Sequence, residues 1–202
     1  MDLVEQLINQ GWLKTPRIIK AFQKIKRIDF LPDQFKKLAD LDEPLPIGFN
    51  QTNSQPLTVA FMLELLDLKP ADNVLDVGSG SGWTTSLLAE IVGSKGRVTA
   101  LEINSQLKQF GDKNISKYNF IKKGIVQTFL ADGNKGYSKN SLYDKILVSA
   151  AVVKLPDCFK KQLKINGRIV LPIDSSIWLF VKKTETDFQA KEYPGFIFVP
   201  LV

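Results

Sequence analysis

Apolar residues along this chain follow two periods that alternate with each other. Short apolar runs of strand length alternate with longer runs whose apolar positions repeat at helical spacing. An order of strand, helix, strand, helix predicts an α/β domain with a parallel sheet. The predicted strands are residues 74–77, 97–102, 125–131, 143–148 and 168–172, followed by a strand pair at 177–181 and 196–201.

The first 56 residues carry a different pattern. Leu3, Leu7 and Ile8 predict a short amphipathic helix, and Thr15 followed by Pro16 predicts the start of a second one. Residues 43–56 are polar and proline-rich, which predicts a long loop without regular structure that carries function. We therefore divide the chain into a helical extension with a lid loop over 1–56 and an α/β domain over 57–202. The two parts are expected to form one structural unit.

A glycine-rich turn follows the first predicted strand. That strand contains Asp76, and Gly78, Gly80 and Gly82 come after it at alternate positions. Such a turn between a parallel strand and a helix is where open α/β folds bind nucleotides. A tryptophan follows Gly82, where the dinucleotide fingerprint needs a third glycine, and no lysine follows to make a phosphate loop. The remaining pattern, D-x-G-x-G-x-G, resembles motif I of methyltransferases that use S-adenosylmethionine.

Two acids stand at the ends of the next two strands. Glu102 ends the strand at 97–102, where an acid in nucleotide-binding folds accepts from ribose hydroxyls. The alternative for Glu102 is a carboxylate that caps the next helix. Asp132 and Gly133 follow the strand at 125–131, where an aspartate can accept from an adenine amino group. The alternative for this pair is an ordinary turn.

The amino-acid composition excludes several kinds of active site. The 202 residues include one cysteine, Cys158, and no histidine, so an internal disulfide, the usual zinc sites and a histidine base are not available. We expect no metal, and no side chain has an unperturbed pKa between about 5.5 and 7.5. No apolar run approaches the roughly 18 residues of a membrane span, and the amino terminus is acidic. A cytoplasmic protein that binds no membrane is therefore expected.

The formal net charge of +6 raises the question of nucleic-acid binding. The basic clusters are short and form no long basic run, which favours a solvated protein face over a nucleic-acid surface. The largest cluster, on the second predicted helix, comprises Lys20, Lys24, Lys26 and Arg27. We therefore expect no nucleic-acid partner.

Several blocks of the sequence agree with one family in order and spacing. The most specific block contains Leu45-Pro-Ile-Gly48, Gln51-Thr52 and Ser54-Gln-Pro56. It resembles the LPIGxGQTxSQP signature of protein-L-isoaspartate O-methyltransferases, and the resemblance extends over nearly the whole chain. The glycine turn, Asp132-Gly133, Tyr143-Asp144, Ala150-Ala151, residues 167–172 and residues 198–201 complete the match.

This resemblance implies methyl transfer from S-adenosyl-L-methionine to the free α-carboxylate of L-isoaspartyl residues in damaged protein, a repair reaction. It implies a Rossmann-like, doubly wound, mostly parallel seven-stranded sheet with helices on both faces. Ser54 matches the family's catalytic serine, and the implied lid and substrate residues are Gln51, Thr52, Asn53 and Gln55. The implied cofactor-binding residues are Asp76, Gly78, Ser79, Gly80, Gly82, Glu102, Asp132 and Gly133. We expect a monomer whose partners are proteins or peptides that bear isoaspartate.

The chain also departs from the family pattern. Asn50 stands where glycine is common, and asparagine tolerates a positive φ. Asn53 replaces a usual isoleucine, Val152-Val153-Lys154 replace proline and acidic residues, and Ile197 replaces a basic or polar residue. Two alternatives stay open: a methyltransferase of the same fold acting on RNA or another small substrate, and a cofactor-binding module without turnover. Against RNA, the strand at 143–148 ends in Ser-Ala-Ala rather than in a loop that holds a flipped base.

Overall fold

The computed structural model describes residues 2–201 as one seven-stranded sheet and one short hairpin. The hairpin strands are β1 (Leu45–Gly48) and β2 (Gln51–Asn53). The sheet strands are β3 (Asn73–Val77), β4 (Arg97–Glu102), β5 (Val126–Leu130), β6 (Tyr143–Val148), β7 (Leu163–Ile173), β8 (Ser176–Lys182) and β9 (Phe188–Pro194). Their spatial order is β5-β4-β3-β6-β7-β8-β9. The first four neighbouring pairs are parallel and the last two antiparallel, which confirms the mostly parallel sheet.

Six α-helices join or cover these strands within residues 2–201. They are α1 (Leu3–Asn9), α2 (Pro16–Lys24), α3 (Pro56–Leu66), α4 (Trp83–Val92), α5 (Ser105–Ser116) and α6 (Asp157–Gln162). Short 3₁₀ turns lie at Arg27–Phe30, Asp33–Leu38, Gly133–Lys135 and Ser138–Asn140. None of the described helices is long and apolar enough to cross a membrane.

The central strand β3 is buried on both of its faces. Val74 belongs to the hydrophobic cluster that holds the buried residues of α1 to α4, whereas Leu75 and Val77 belong to a second cluster with Phe159 of α6. Successive side chains of a strand point to opposite faces, so a strand covered by helices on both sides needs a nearly continuous apolar run, which in residues 74–77 only Asp76 interrupts. This requirement explains why the strand could be recognised from sequence.

The carboxyl ends of β3, β4 and β6 lie side by side. Val77 is in register with Leu101 of β4 on one side and with Val148 of β6 on the other. Because all three strands are parallel, the residues that follow each strand meet at one edge of the sheet. The chain winds away from β3 in opposite directions on its two sides, and this switch point is where open α/β sheets bind ligands.

The amino-terminal extension packs against the α/β part of the chain. Leu7 and Ile18 are buried in the same hydrophobic cluster as α3 and α4. Phe22 of α2 meets Trp83 of α4 edge to face, with ring centroids 5.7 Å apart. Residues 2–56 therefore share one hydrophobic core with the sheet.

The predicted loop at 43–56 contains regular structure. Strands β1 and β2 pair antiparallel and are joined by Phe49 and Asn50, whose φ angles are 54° and 56°. Two consecutive positive φ values are what a two-residue hairpin turn of type I′ requires, and asparagine tolerates them. The prediction of a loop without regular structure was wrong, while the expectation that Asn50 preserves the turn is confirmed.

The carboxy-terminal strand pair differs from the prediction. Residues 176–182 form β8 as expected, but its partner is the polar segment Phe188–Pro194, and residues 196–201 lie outside the sheet. β9 is an edge strand with mostly exposed side chains, and charged residues such as Lys191 and Glu192 are common at sheet edges. The hydrophobicity of residues 196–201 reflects contacts outside the sheet, as described below.

Candidate active site

A cavity of about 700 Å³ opens at the carboxyl edge of β3, β4 and β6. Its walls come from the glycine turn after β3, the residues at the end of β4, the residues that follow β5 and β6, the β1–β2 hairpin with the residues that follow it, and residues 195–201. A cavity of this size at a topological switch point is where a nucleotide-containing ligand is expected. Most of the predicted site residues line it, with the exceptions given below.

The glycine turn follows the cavity wall closely. Gly78 and Gly80 both line the cavity and have φ angles of 80° and 52°. A Cβ atom on Gly80 would lie 3.3 Å from Cδ1 of Ile47 in the hairpin. Ser79 lines the cavity as well. The turn therefore presents backbone to the cavity, and a side chain at Gly80 would crowd the hairpin.

Gly82 has a packing role rather than a place in the cavity wall. Its φ is 87°, and a Cβ atom there would lie 2.7 Å from Cγ1 of Ile115 in α5. Among the three glycines of the pattern, it is the one that does not line the cavity. Its predicted role in cofactor binding is therefore indirect: it allows α4 and α5 to approach.

Glu102 is 7% exposed and lines the cavity at the end of β4. Its Oε2 accepts from the backbone N–H of Gly80 at 2.8 Å, and its Oε1 accepts from the N–H groups of Ile103 and Asn104, each at 3.0 Å. A carboxylate has about four acceptor positions, so three are used within the protein and one is left for a ligand. Glu102 thus anchors the glycine turn and the turn before α5 while it faces the cavity.

Asp76 lies behind the glycine turn, outside the cavity wall. It is fully buried, its Oδ2 accepts from the Thr85 hydroxyl at 2.6 Å, and its Oδ1 has no hydrogen-bond partner among residues 2–201. Burial, with a smaller contribution from the nearby charge of Glu102, raises the pKa of this carboxyl to about 7. No side chain of the sequence has an unperturbed pKa between about 5.5 and 7.5, but burial brings the pKa of Asp76 into that range.

Asp132 and Gly133 occupy different places. Gly133 lines the cavity, and a Cβ atom there would lie 2.5 Å from Cγ1 of Val77. The Asp132 carboxylate does not line the cavity: it accepts from the Asn134 N–H at 2.9 Å and pairs with Lys135 at 3.2 Å. The Asn134 N–H bond is the main reason that the pKa of Asp132 is lowered. Of the two interpretations of Asp132, an adenine acceptor or part of an ordinary turn, the carboxylate therefore fits the turn.

The hairpin and the residues after it supply the opposite wall. Gln51, Thr52, Asn53, Ser54 and Gln55 all line the cavity, as predicted for the lid. The Ser54 hydroxyl has no hydrogen-bond partner within the part of the chain that the structure describes. The Gln55 amide, in contrast, donates to the Asp42 carbonyl at 2.9 Å and accepts from the Thr58 hydroxyl at 3.3 Å. Ser54 is thus free to meet a ligand, and Gln55 holds the loop together.

Comparison with known proteins decides the family. The sequence profile of the family described as protein-L-isoaspartate(D-aspartate) O-methyltransferase matches residues 1–202. The chain belongs to this family. It is 40% identical to the protein-L-isoaspartate O-methyltransferase of Pyrococcus horikoshii, over 98% of this chain and 90% of that protein. The enzyme of the same name from Thermococcus sibiricus is also 40% identical, over 100% of this chain and 92% of that protein.

A solved structure supports the methyltransferase fold. It belongs to a Plasmodium falciparum protein of the same family description, crystallised in complex with S-adenosyl-L-homocysteine. The TM-score is 0.89, with 23% identity, and the alignment covers 99% of this chain and 96% of that one. At this identity the likeness establishes the fold. The seven-stranded methyltransferase sheet predicted from the resemblance is confirmed.

Sequence reasoning missed Arg27 in this family member. The interpretation of its basic cluster as a solvated face was wrong for this residue, which is 5% exposed. Its guanidinium donates to the carbonyls of Leu41 and Glu43 at 2.8 and 2.6 Å and to Oδ1 of Asn53 at 2.8 Å. Burial lowers the pKa of Arg27 to about 10, so it remains charged at neutral pH. Its partners come from a loop 12 or more residues away, so no local pattern marks it.

Residues 195–201 form a further wall, although the sequence pattern placed residues 196–201 in the sheet. The Ala151 N–H donates to the Val199 carbonyl, and the Leu201 N–H donates to the Ala151 carbonyl, each at 2.8 Å. Phe196 stacks on Phe61 with ring centroids 5.3 Å apart, while Ile197 is 91% exposed at the cavity. The departure at Ile197 therefore places an apolar side chain at the cavity mouth.

Cys158 does not line the cavity. The Cys158 thiol donates to the Asn134 carbonyl at 3.0 Å, and burial raises its pKa, which disfavours the thiolate. Among the described residues, no group of three or more acidic or cysteine side chains is placed to hold a metal ion.

Proposed function

We propose that this protein transfers a methyl group from S-adenosyl-L-methionine to the free carboxylate of L-isoaspartyl residues in damaged proteins. The observation that carries the proposal is one shared cavity: the glycine turn, Glu102 and Ser54 all line it in a member of this family. A cofactor and a carboxylate substrate can therefore meet there. The enzymes of Pyrococcus horikoshii and Thermococcus sibiricus carry the corresponding name.

The residues present fit the proposed cofactor. Gly78, Ser79 and Gly80 offer a backbone surface without bulky side chains, and Glu102 keeps one acceptor position for a ribose hydroxyl. Gly133 offers a wall in which a side chain would meet Val77. When bound, S-adenosylmethionine supplies an electrophilic methyl group on a positively charged sulfur. Asp76 and Gly82 would act behind the turn, by holding its shape.

In this proposal the protein accelerates the reaction by positioning the substrate carboxylate and the methyl group of the cofactor. An isoaspartyl carboxylate with a pKa near 4 is already ionised at neutral pH, so no proton has to be removed before its oxygen attacks. In this proposal the free Ser54 hydroxyl, which lines the cavity, donates a hydrogen bond to that carboxylate and orients it. Alignment of reacting groups can lower a barrier by roughly 7 to 11 kcal/mol. The hairpin and residues 195–201 would exclude water from the cavity.

We further propose that the protein acts in the cytoplasm, as a monomer, on proteins and peptides that bear isoaspartate. A single cysteine without a disulfide partner suits a reducing compartment. The end of β6 supports a substrate other than RNA, because Ser149 and Ala150 line the cavity with small side chains and offer no platform for a flipped base.

Transfer of tritiated methyl groups to three acceptors tests the proposal. An isoaspartyl peptide should be labelled, while the aspartyl peptide of the same sequence and bulk tRNA should not. Labelling of tRNA alone would instead establish an RNA methyltransferase. If calorimetry shows that the cofactor binds but none of the three acceptors is labelled, the protein would instead be a binding module that has lost turnover.

A further inference from the structure

The side-chain amide of Asn53 is buried between the hairpin and the glycine turn. Asn53 is 4% exposed, and its Oδ1 accepts from Nε of Arg27 at 2.8 Å. Its Nδ2 donates to the hydroxyl of Ser81, the residue between Gly80 and Gly82, at 3.0 Å. One side chain therefore joins the amino-terminal extension, the hairpin and the glycine turn.

Both partners of this amide are themselves fixed. The Ser81 carbonyl accepts from Nδ2 of Asn114 in α5 at 3.1 Å. Arg27 also donates to the backbone carbonyl of Ser54 at 3.1 Å, and its guanidinium lies 5.4 Å from the ring centre of Trp83 in α4. Leaving a buried polar group without its partner costs free energy. These contacts therefore resist displacement of the hairpin from the glycine turn.

We propose that Asn53 is a positioning residue that holds Ser54 at a set distance from the glycine turn. Both residues border the cavity, but the Asn53 amide is bonded to Arg27 and Ser81, whereas the Ser54 hydroxyl has no hydrogen-bond partner among the described residues. The amide therefore acts on the reaction through its neighbour and does not touch the reacting atoms. This proposal rests on the proposed function for its kinetic consequence but not for its structural one.

Three variants test the role of the amide. Asn53→Leu has a similar size and removes both hydrogen bonds. Asn53→Asp keeps an acceptor for Arg27, and its second oxygen can accept from the Ser81 hydroxyl, so it should restore the bridge. Ser86→Ala is the matched control, since the buried Ser86 hydroxyl donates to the Gly82 carbonyl at 2.9 Å and makes no hydrogen bond to the hairpin within residues 2–201.

Amide hydrogen exchange measures the bridge independently of activity. In Asn53→Leu, exchange of the β1 and β2 amides should become about tenfold faster or more, within the range expected when a buried hydrogen-bond partner is lost. Exchange in α4 should stay as in the wild type. Asn53→Asp and Ser86→Ala should retain slow hairpin exchange. Unchanged hairpin exchange in Asn53→Leu would overturn the proposal.

Kinetics measure the consequence for the reaction. In Asn53→Leu, kcat on an isoaspartyl peptide should fall about tenfold or more, while the Kd for S-adenosylhomocysteine changes less than about threefold and Asn53→Asp recovers most of the loss. An unchanged kcat together with a mobile hairpin would overturn the positioning role. If Asn53→Leu does not fold, Ser81→Ala removes the bond from the Asn53 amide to the glycine turn and should shift exchange and kcat in the same direction. If the wild type methylates no isoaspartyl peptide, the proposed function fails, and hairpin exchange still decides the bridge.

Discussion

The Thr85 hydroxyl donates to Oδ2 of Asp76 at 2.6 Å, and it is the one hydrogen bond of that carboxyl group among the described residues. The carboxyl group is fully buried beneath the glycine turn, and its second oxygen has no partner within residues 2–201. A charge in such a place is poorly compensated, because one neutral donor replaces the water that would solvate both oxygens. This explains why its pKa is raised to about 7.

We expect Asp76→Asn to change how the stability of the protein depends on pH. In the unfolded chain this carboxyl ionises near its ordinary pKa of 3.8, whereas in the folded protein it ionises only near 7. Its contribution to the free energy of unfolding therefore falls as pH rises from about 4 to about 7 and is constant above that. Asparagine has no such titration and can still accept from Thr85.

The check is a pair of thermal unfolding series, wild type and Asp76→Asn, across pH 4 to 8 in steps of about one unit. The variant should gain in Tm relative to the wild type as pH rises towards 7, with no further gain above it. A difference in Tm that does not depend on pH would mean that Asp76 has an ordinary pKa in the folded protein.

Glu102→Ala should weaken binding of S-adenosylhomocysteine by about 1.5 to 3 kcal/mol, the range for hydrogen bonds to charged groups. The loss has two sources: the acceptor for a ribose hydroxyl, and the anchor of the Gly80 N–H. Calorimetric titration measures it. Glu90→Ala is a suitable control, because Glu90 pairs with Lys24 on the surface and lies outside the cavity wall. An unchanged affinity would leave Glu102 with its role in the turn alone.

Gly82→Ala should destabilise the fold more than Gly124→Ala. Both glycines have positive φ, at 87° and 66°, so alanine is strained at either position. A Cβ atom at Gly82 also meets Ile115 at 2.7 Å, whereas one at Gly124 meets nothing within 4 Å. Overpacking adds roughly 1 to 3 kcal/mol. Urea denaturation of both variants gives the comparison, and equal losses would show that α5 moves away at little cost.

The sequence predicted those parts of the fold whose structure is determined by residues close together in the chain. The strand at 74–77 and the glycine turn were recognised because burial on two faces demands an apolar run and tight backbone demands glycine. β9 was missed because an edge strand needs no apolar pattern, and residues 196–201 were taken for a strand because their apolar side chains line a cavity and cover Phe61.

The residues of the site also fall into those that a local motif marks and those that only distant contacts explain. Glu102 and Ser54 stand next to recognisable motifs, and both line the cavity. Arg27 and the bridge through Asn53 depend on partners far along the chain, such as Ser81. Asp76 was noticed as part of the motif, but its raised pKa follows from burial, which the sequence does not state. Long-range packing therefore accounts for what sequence reasoning left out.

Ser54→Ala should lower turnover more than it lowers cofactor affinity. The Ser54 hydroxyl faces the cavity without a partner in the described chain, so its loss leaves the fold intact. If it donates to the reacting carboxylate as an oxyanion-hole donor does, kcat should fall roughly 10²- to 10³-fold, and less if it only orients the substrate. Steady-state kinetics on an isoaspartyl peptide, with calorimetry for the cofactor, separate the two effects. Equal turnover would remove Ser54 from the chemistry.

The central claim is that the cavity methylates isoaspartate in particular. The most direct measurement incubates the wild-type protein and S-adenosylmethionine with an equimolar mixture of an isoaspartyl peptide and its aspartyl counterpart, followed by mass spectrometry. We predict that the isoaspartyl peptide alone gains the mass of one methyl group and then converts to the succinimide. Equal methylation of both peptides, or of neither while the cofactor binds, would contradict the assignment.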